Sequence, residues 1–132
     1  MSRTPVILDV DTGVDDSLAI LYACASPEIE LVAVTCVAGN VPLRQVAANT
    51  LALLDLAGRP DVPVILGAEQ PLVRALATAE DTHGPQGLGH AVLPAAQRGL
   101  EPGHAADHLV EIIQRRPGEI LLVTLGPRGI EL

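Results

Sequence analysis

Short unbroken aliphatic runs alternate along this chain with longer stretches in which apolar positions recur every three or four residues. That alternation predicts strands and amphipathic helices in turn. Pro5-Val6-Ile7-Leu8 carries the first strand, over Val6–Val10. A helix follows over Asp15–Ala25, with Leu18, Ile20, Leu21 and Ala25 apolar. Leu31-Val32-Ala33-Val34-Thr35-Cys36-Val37 is the second strand, rich in β-branched residues and continuous, as in a strand buried on both faces. Pro42 opens a second helix that runs to about Ala57 and is stopped by Gly58. Val62–Leu66 is the third strand. The stretch from Gly67 to Gly103 is irregular and rich in Gly and Pro, with one short helical piece expected near Leu72–Ala77. Ala105–Arg115 is a helix stopped by Pro117-Gly118, and Ile120–Leu125 is the fourth strand.

Strands alternating with helices through short connections predict the α/β class. The expected architecture is an open, mostly parallel, doubly wound (Rossmann-like) sheet with right-handed crossovers and helices on both faces. The 132 residues are enough for one domain, read as residues 1–132. Phe and Trp are absent and Tyr22 is the single aromatic residue, so the core must be aliphatic. An irregular stretch as long as 67–103 is usually functional or mobile. The fourth strand has no helix after it to cover it. Apolar surface that expects more protein is therefore predicted there, and self-association into a homo-oligomer is one way to cover it.

Charge narrows the partners. The formal net charge is −8, which argues against a nucleic-acid polymer. All eight basic residues are Arg, which excludes chemistry that needs a lysine. No apolar stretch is long enough for a membrane helix, and the first residues lack a signal-peptide layout. Cys24 and Cys36 fit no metal or redox spacing and read as reduced thiols. The expected location is cytoplasmic.

The chemistry concentrates in one segment. Asp9-Val10-Asp11-Thr12-Gly13-Val14-Asp15-Asp16 places four carboxylates within eight residues at a strand-to-helix turn. In open α/β sheets ligands bind at such turns. Carboxylates this close repel one another and need compensation, for which a divalent cation with oxygen ligands, calcium or magnesium, is the simplest source. Asp15 and Asp16 fall in a first helical turn, where the helix dipole favours their ionised forms. An acid or Thr12 could also cap that helix, but capping accounts for one acid and not three.

This octapeptide after an apolar strand resembles the N-terminal fingerprint of the inosine–uridine-preferring nucleoside hydrolases. Four later segments are similar to the same family in the same order. They are Pro27-Glu28-Ile29-Glu30-Leu31 leading to Val37-Ala38-Gly39-Asn40, Pro63-Val64-Ile65-Leu66-Gly67 with Pro71-Leu72, His83-Gly84-Pro85-Gln86-Gly87-Leu88-Gly89, and Leu122-Val123-Thr124-Leu125-Gly126-Pro127. The resemblance implies a calcium-assisted hydrolysis of the N-glycosidic bond of purine or pyrimidine ribonucleosides to ribose and free base. By that resemblance Asp11 is a calcium ligand and the base that activates water, and Asp16 is a second ligand. Leu125 offers its backbone carbonyl, Asp15 hydrogen-bonds ribose hydroxyls, Asn40 reaches the ribose or the attacking water, and His83 approaches substrate on its loop. Asp9 is expected behind them, orienting the turn.

Family members are substantially longer. Their second half supplies an Asn/Glu/Asn group for the sugar and a His-Asp pair, and the usual Leu-Thr-Asn continuation after Gly-Pro is replaced here by Arg128-Gly129-Ile130-Glu131-Leu132. The chain therefore reads as the N-terminal part of a nucleoside hydrolase domain, expected to be inactive or nearly so alone and to bind calcium weakly. One alternative is a degenerate, non-enzymatic remnant or a metal-binding subunit. A haloacid dehalogenase-type phosphatase, which shares an Asp-x-Asp at its first strand end, fits less well because Gly13 and the missing lysine break its pattern. His104 and His108, four apart on one helix, lack a third zinc ligand and read as an exposed helix start. His90 has no support as a ligand, and Arg115-Arg116 reads as structural.

Overall fold

The computed structural model describes residues 2–70, 75–96 and 98–126. Eight elements follow in order: β1 (Thr4–Val10), α1 (Val14–Ala25), β2 (Ile29–Cys36), α2 (Leu43–Leu56), β3 (Val64–Leu66), α3 (Glu80–His83), α4 (Ala105–Arg115) and β4 (Leu121–Thr124). The four strands form one sheet in the order β3-β2-β1-β4, and every pairing is parallel. The chain thus winds outward from β1 through β2 to β3 and then returns to the other side of β1. That reversal makes the C-terminal ends of β1 and β4 the switch point of the sheet, where a crevice opens in folds of this kind.

The two faces of the sheet are covered unequally. Alternating β-strand side chains Val6, Leu8 and Val10 join Leu31, Val34 and Cys36 against α1 and α2, through Ile20, Ala23, Val46, Leu53 and Leu54. The opposite face packs Ile7, Ala33 and Ile65 against Ala105 and Leu109 of α4. Helices on both faces and a wholly parallel sheet are the architecture expected from the alternation.

Several boundaries move for identifiable reasons. The third strand starts at Val64 and not Val62, because Pro63 has no N–H to enter the ladder. Pro63 still contributes its carbonyl, which accepts from Val34 N–H at 3.0 Å. Val37 falls just outside β2 yet donates to the Val10 carbonyl at 2.8 Å. Of the helical piece expected near Leu72–Ala77, residues 72–74 lie outside the described residues and 75–77 are irregular. The short helix comes later, at α3. On α1 the apolar residue Leu18 is 66 % exposed, along with Val14 and Tyr22, while Ile20 and Ala23 face the sheet. The expectation of uncovered apolar surface on the fourth strand holds among the described residues, where Leu121 is 52 % exposed.

A charged pair and a histidine cap hold the two ends of α4. Arg116 donates through both terminal nitrogens to the two Glu30 carboxylate oxygens at 3.2 Å, tying the end of α4 to the start of β2. His104 caps α4 by accepting from Ala106 N–H at 3.1 Å, and a ring nitrogen of His108 meets the Pro102 carbonyl at 2.7 Å. Both histidines are engaged with backbone, in keeping with a structural reading.

Candidate functional site

The chain leaves the sheet after Val10 at the switch point, and the fingerprint residues fill the turn into α1. Asp11 is 6 % exposed and Asp16 2 %. Asp16 reaches back from the first turn of α1, and its Oδ2 accepts the Asp11 N–H at 2.9 Å. The two carboxyl groups also meet each other. Burial, and next to it the Asp11 carboxyl, pushes the Asp16 acid well above the ordinary carboxylate range. Asn40, just beyond β2, clasps Asp11 from the other side. Its N–H donates to Asp11 Oδ2 at 3.1 Å and its Nδ2 to the Asp11 carbonyl at 3.2 Å.

Asp9 lies one step below, buried in β1. Its Oδ1 accepts from Thr35 Oγ1 on the neighbouring strand at 2.6 Å, while Oδ2 has no partner among the described residues. Burial raises its pKa, the Thr35 hydroxyl opposes that rise, and Asp11 adds to it. Since the hydroxyl favours the ionised form, Thr35→Val is expected to cost roughly 1–3 kcal/mol near pH 7 and less near pH 4. Urea unfolding at the two pH values checks this, and an equal loss at both would contradict it.

His83 arrives from the far side of the turn. Its Nδ1 accepts the Val14 N–H at 3.1 Å, which supplies the start of α1 with a cap that Gly13 cannot give. An accepting Nδ1 places the proton of the neutral imidazole on Nε2. The three parts pack tightly over Gly13, where a Cβ would stand 2.6 Å from His83 Nδ1 and 2.7 Å from Asn40 Nδ2. A side chain there would force His83 or Asn40 to move. Thr12, expected as a candidate cap, instead joins its hydroxyl to Thr50 Oγ1 of α2 at 2.8 Å, because α2 presents a buried hydroxyl directly beneath the turn.

The end of β4 closes the fourth side. Leu125 N–H donates to the Asp9 carbonyl at 2.8 Å, and a Cβ on Gly126 would lie 3.1 Å from Asp11 N and 3.2 Å from Asp11 Cβ. Asp15 sits exposed in the first turn of α1. The fold therefore brings Asp9, Asp11, Asp16, Asn40, His83 and the Leu125–Gly126 backbone to one edge of the sheet. Pro127 and residues 128–132 lie outside the described residues, as do Pro71 and Leu72.

The donor set available to a cation is wholly oxygen. Two buried carboxylates abut, and no ion pair among the described residues involves either. That arrangement suits a hard divalent cation. It is not a complete cage, since no group of three or more His, Cys, Asp or Glu side chains converges among the described residues, and calcium takes six to eight oxygens. Sequence reasoning missed Thr35, Asn49 and Thr50, all buried. A signal existed in α2, where Asn49 and Thr50 interrupt the apolar stripe of Val46, Leu53 and Leu54.

Residues 6–128 match the family model described as inosine-uridine preferring nucleoside hydrolase. The chain is 43 % identical over 127 residues to the pyrimidine-specific ribonucleoside hydrolase RihA of Photobacterium profundum, a match covering 96 % of this chain and 41 % of that protein. It is 42 % identical over 123 residues to uridine nucleosidase 1 of Arabidopsis thaliana, covering 92 % and 37 % respectively. The solved purine-preferring ribonucleoside hydrolase from Gardnerella vaginalis superposes with a TM-score of 0.90 at 36 % identity, over 96 % of this chain and 42 % of that one. The chain thus spans between 37 % and 42 % of the length of these three proteins. With the family model covering nearly all of the chain and the acidic turn standing at the switch point of the same fold, the chain belongs to the inosine–uridine preferring nucleoside hydrolase family.

Proposed function

We propose that this chain is the N-terminal part of a calcium-assisted ribonucleoside hydrolase, which splits the N-glycosidic bond of a purine or pyrimidine ribonucleoside with water. The observation that carries this reading is the meeting of Asp11, Asp16, Asn40 and His83 at the C-terminal end of β1. Relatives named for pyrimidine and for purine nucleosides match the same stretch. That supports assigning this stretch to what the substrates share, the ribose and the attacking water, and not to the base.

In this reading Asp11 and Asp16, with the Leu125 carbonyl, hold the cation. When bound, calcium would lower the pKa of a coordinated water and orient it. Asp11 takes the proton from the attacking water at a carboxylate oxygen. Asn40 keeps that carboxylate oriented through its N–H, while its Nδ2 holds the Asp11 carbonyl. Exposed Asp15 accepts from ribose hydroxyls, and the acidic edge as a whole favours the positive charge that develops on the sugar as the bond to the base breaks. His83 stands beside the same edge with a donor on Nε2. Asp9 orients the turn from below. The free thiols Cys24 and Cys36 fit a reducing, cytoplasmic setting. No helix among the described residues is long and apolar enough to cross a membrane.

The test is ribose release from inosine, uridine, adenosine and cytidine with and without calcium, alongside calorimetry of calcium binding. The expected result is weak calcium binding lost in Asp11→Ala, and little or no ribose from the chain alone. Tight binding that survives Asp11→Ala would overturn the ligand set. Robust ribose release by the chain alone would overturn the claim that further residues are needed.

A further inference from the structure

Asn49 lies in the middle of α2, on a buried and mostly apolar face that also carries Thr50, and is 3 % exposed. Its Nδ2 donates to two carbonyls from separate parts of the chain. One belongs to Gln86 in the glycine-rich loop at 2.6 Å, the other to Thr12 in the acidic turn at 3.3 Å. Its Oδ1 accepts from Gln45 Nε2, one helical turn earlier, at 2.8 Å. Both donors and the acceptor are therefore engaged, which fixes the orientation of the amide. The loop crosses this junction at Gly87, whose φ of +84° favours glycine. A Cβ there would stand 3.3 Å from both Asn49 Nδ2 and the Thr12 carbonyl.

His83 is three residues before Gln86, and the hydrogen bond it accepts from Val14 N–H is exposed to solvent. An exposed bond competes with water and holds a loop weakly, whereas a buried donor that loses its acceptor carries a desolvation penalty. The Asn49 junction is the stronger of the two pins. We propose that Asn49 is a positioning residue: by holding the Thr12 and Gln86 carbonyls on one carboxamide, it docks the glycine-rich loop onto the acidic turn and thereby sets His83 against the start of α1. The catalytic consequence rests on reading turn and loop as one site, but the docking itself needs neither metal nor turnover.

The test is amide hydrogen exchange and imidazole nitrogen NMR on the whole chain. Asn49→Asp keeps the size and the acceptor toward Gln45 and removes both donors. The expected result is at least tenfold faster exchange of the Val14 amide and loss of the signature of an accepting His83 Nδ1. The Val37 amide, which bonds to Val10 inside the sheet, should exchange as before. Gly87→Ala crowds the same junction from the loop side with Asn49 intact, and should release His83 in the same way if Asn49→Asp fails to fold. Unchanged Val14 exchange in a folded variant overturns the proposal. An equal rise at Val14 and Val37 also overturns it, because Asn49 would then only support helix packing. Failure of calcium to bind would remove the metal reading and leave this result standing.

Discussion

Without metal at pH 7.5, Asp16→Asn is expected to raise the unfolding midpoint by roughly 6–10 °C, a gain of about 2 kcal/mol. The acid of Asp16 is pushed from 3.8 up to about 8, first by burial and then by Asp11 beside it. The folded chain therefore holds this proton more tightly than the unfolded chain does. Below about pH 4 both states carry the proton and the group contributes no pH dependence. As pH rises from about 4 to about 8, the unfolded chain gives up the proton first, and stability falls across that window. An asparagine at this position can still accept the Asp11 N–H and carries no charge to desolvate. Melting curves from pH 4 to pH 8 check this, since the advantage of the variant should grow with pH. An advantage independent of pH would contradict it. Calcium should stabilise the parent chain and leave Asp16→Asn unmoved, because the repulsion that destabilises the metal-free turn is what a cation relieves. The residue that costs stability in the free chain would thus be the one that serves the site.

Leu54→Ala is expected to cost about 3–4 kcal/mol, lowering the midpoint by more than 10 °C, as is typical of emptying a fully buried leucine site. Leu54 is completely buried in the larger of the two core clusters, between α2 and the sheet. Leu121→Ala on the outer strand β4 should change stability by less than about 0.5 kcal/mol, since that side chain is 52 % exposed. Urea unfolding at pH 7 with an unchanged denaturant slope checks the pair. Similar losses at the two positions would mean that β4 is buried in solution as Leu54 is, and that the sheet is not covered as unequally as its packing indicates.

The elements themselves were legible in the chain. Continuous β-branched runs such as Leu31–Val37 can be buried on both faces only inside a parallel sheet, and their alternation with helical periodicity leaves few other folds. The acidic turn was also legible, because carboxylates crowded between a strand and a helix have no structural explanation as a group. Strand boundaries were less so. Pro63 shortened β3 through a missing donor, an effect that hydrophobicity does not register.

What the sequence determined by itself was local: an aliphatic core, the order of strands and helices, and the placing of Asp9, Asp11, Asp15 and Asp16 at one turn. The partners of that turn were decided by tertiary structure. Strand order put β4 beside β1, so Leu125 and Gly126 lie against Asp9 and Asp11. His83 read as a loop histidine, yet it caps α1 from 69 residues away. Asn49 and Thr50 passed unnoticed within the second helix, yet they lie beneath the turn and bond to Thr12. Such contacts depend on which sheet edge and which helix face meet. Local propensity and periodicity carry no information about that, because it is fixed only when distant segments pack and every buried polar group must find a partner.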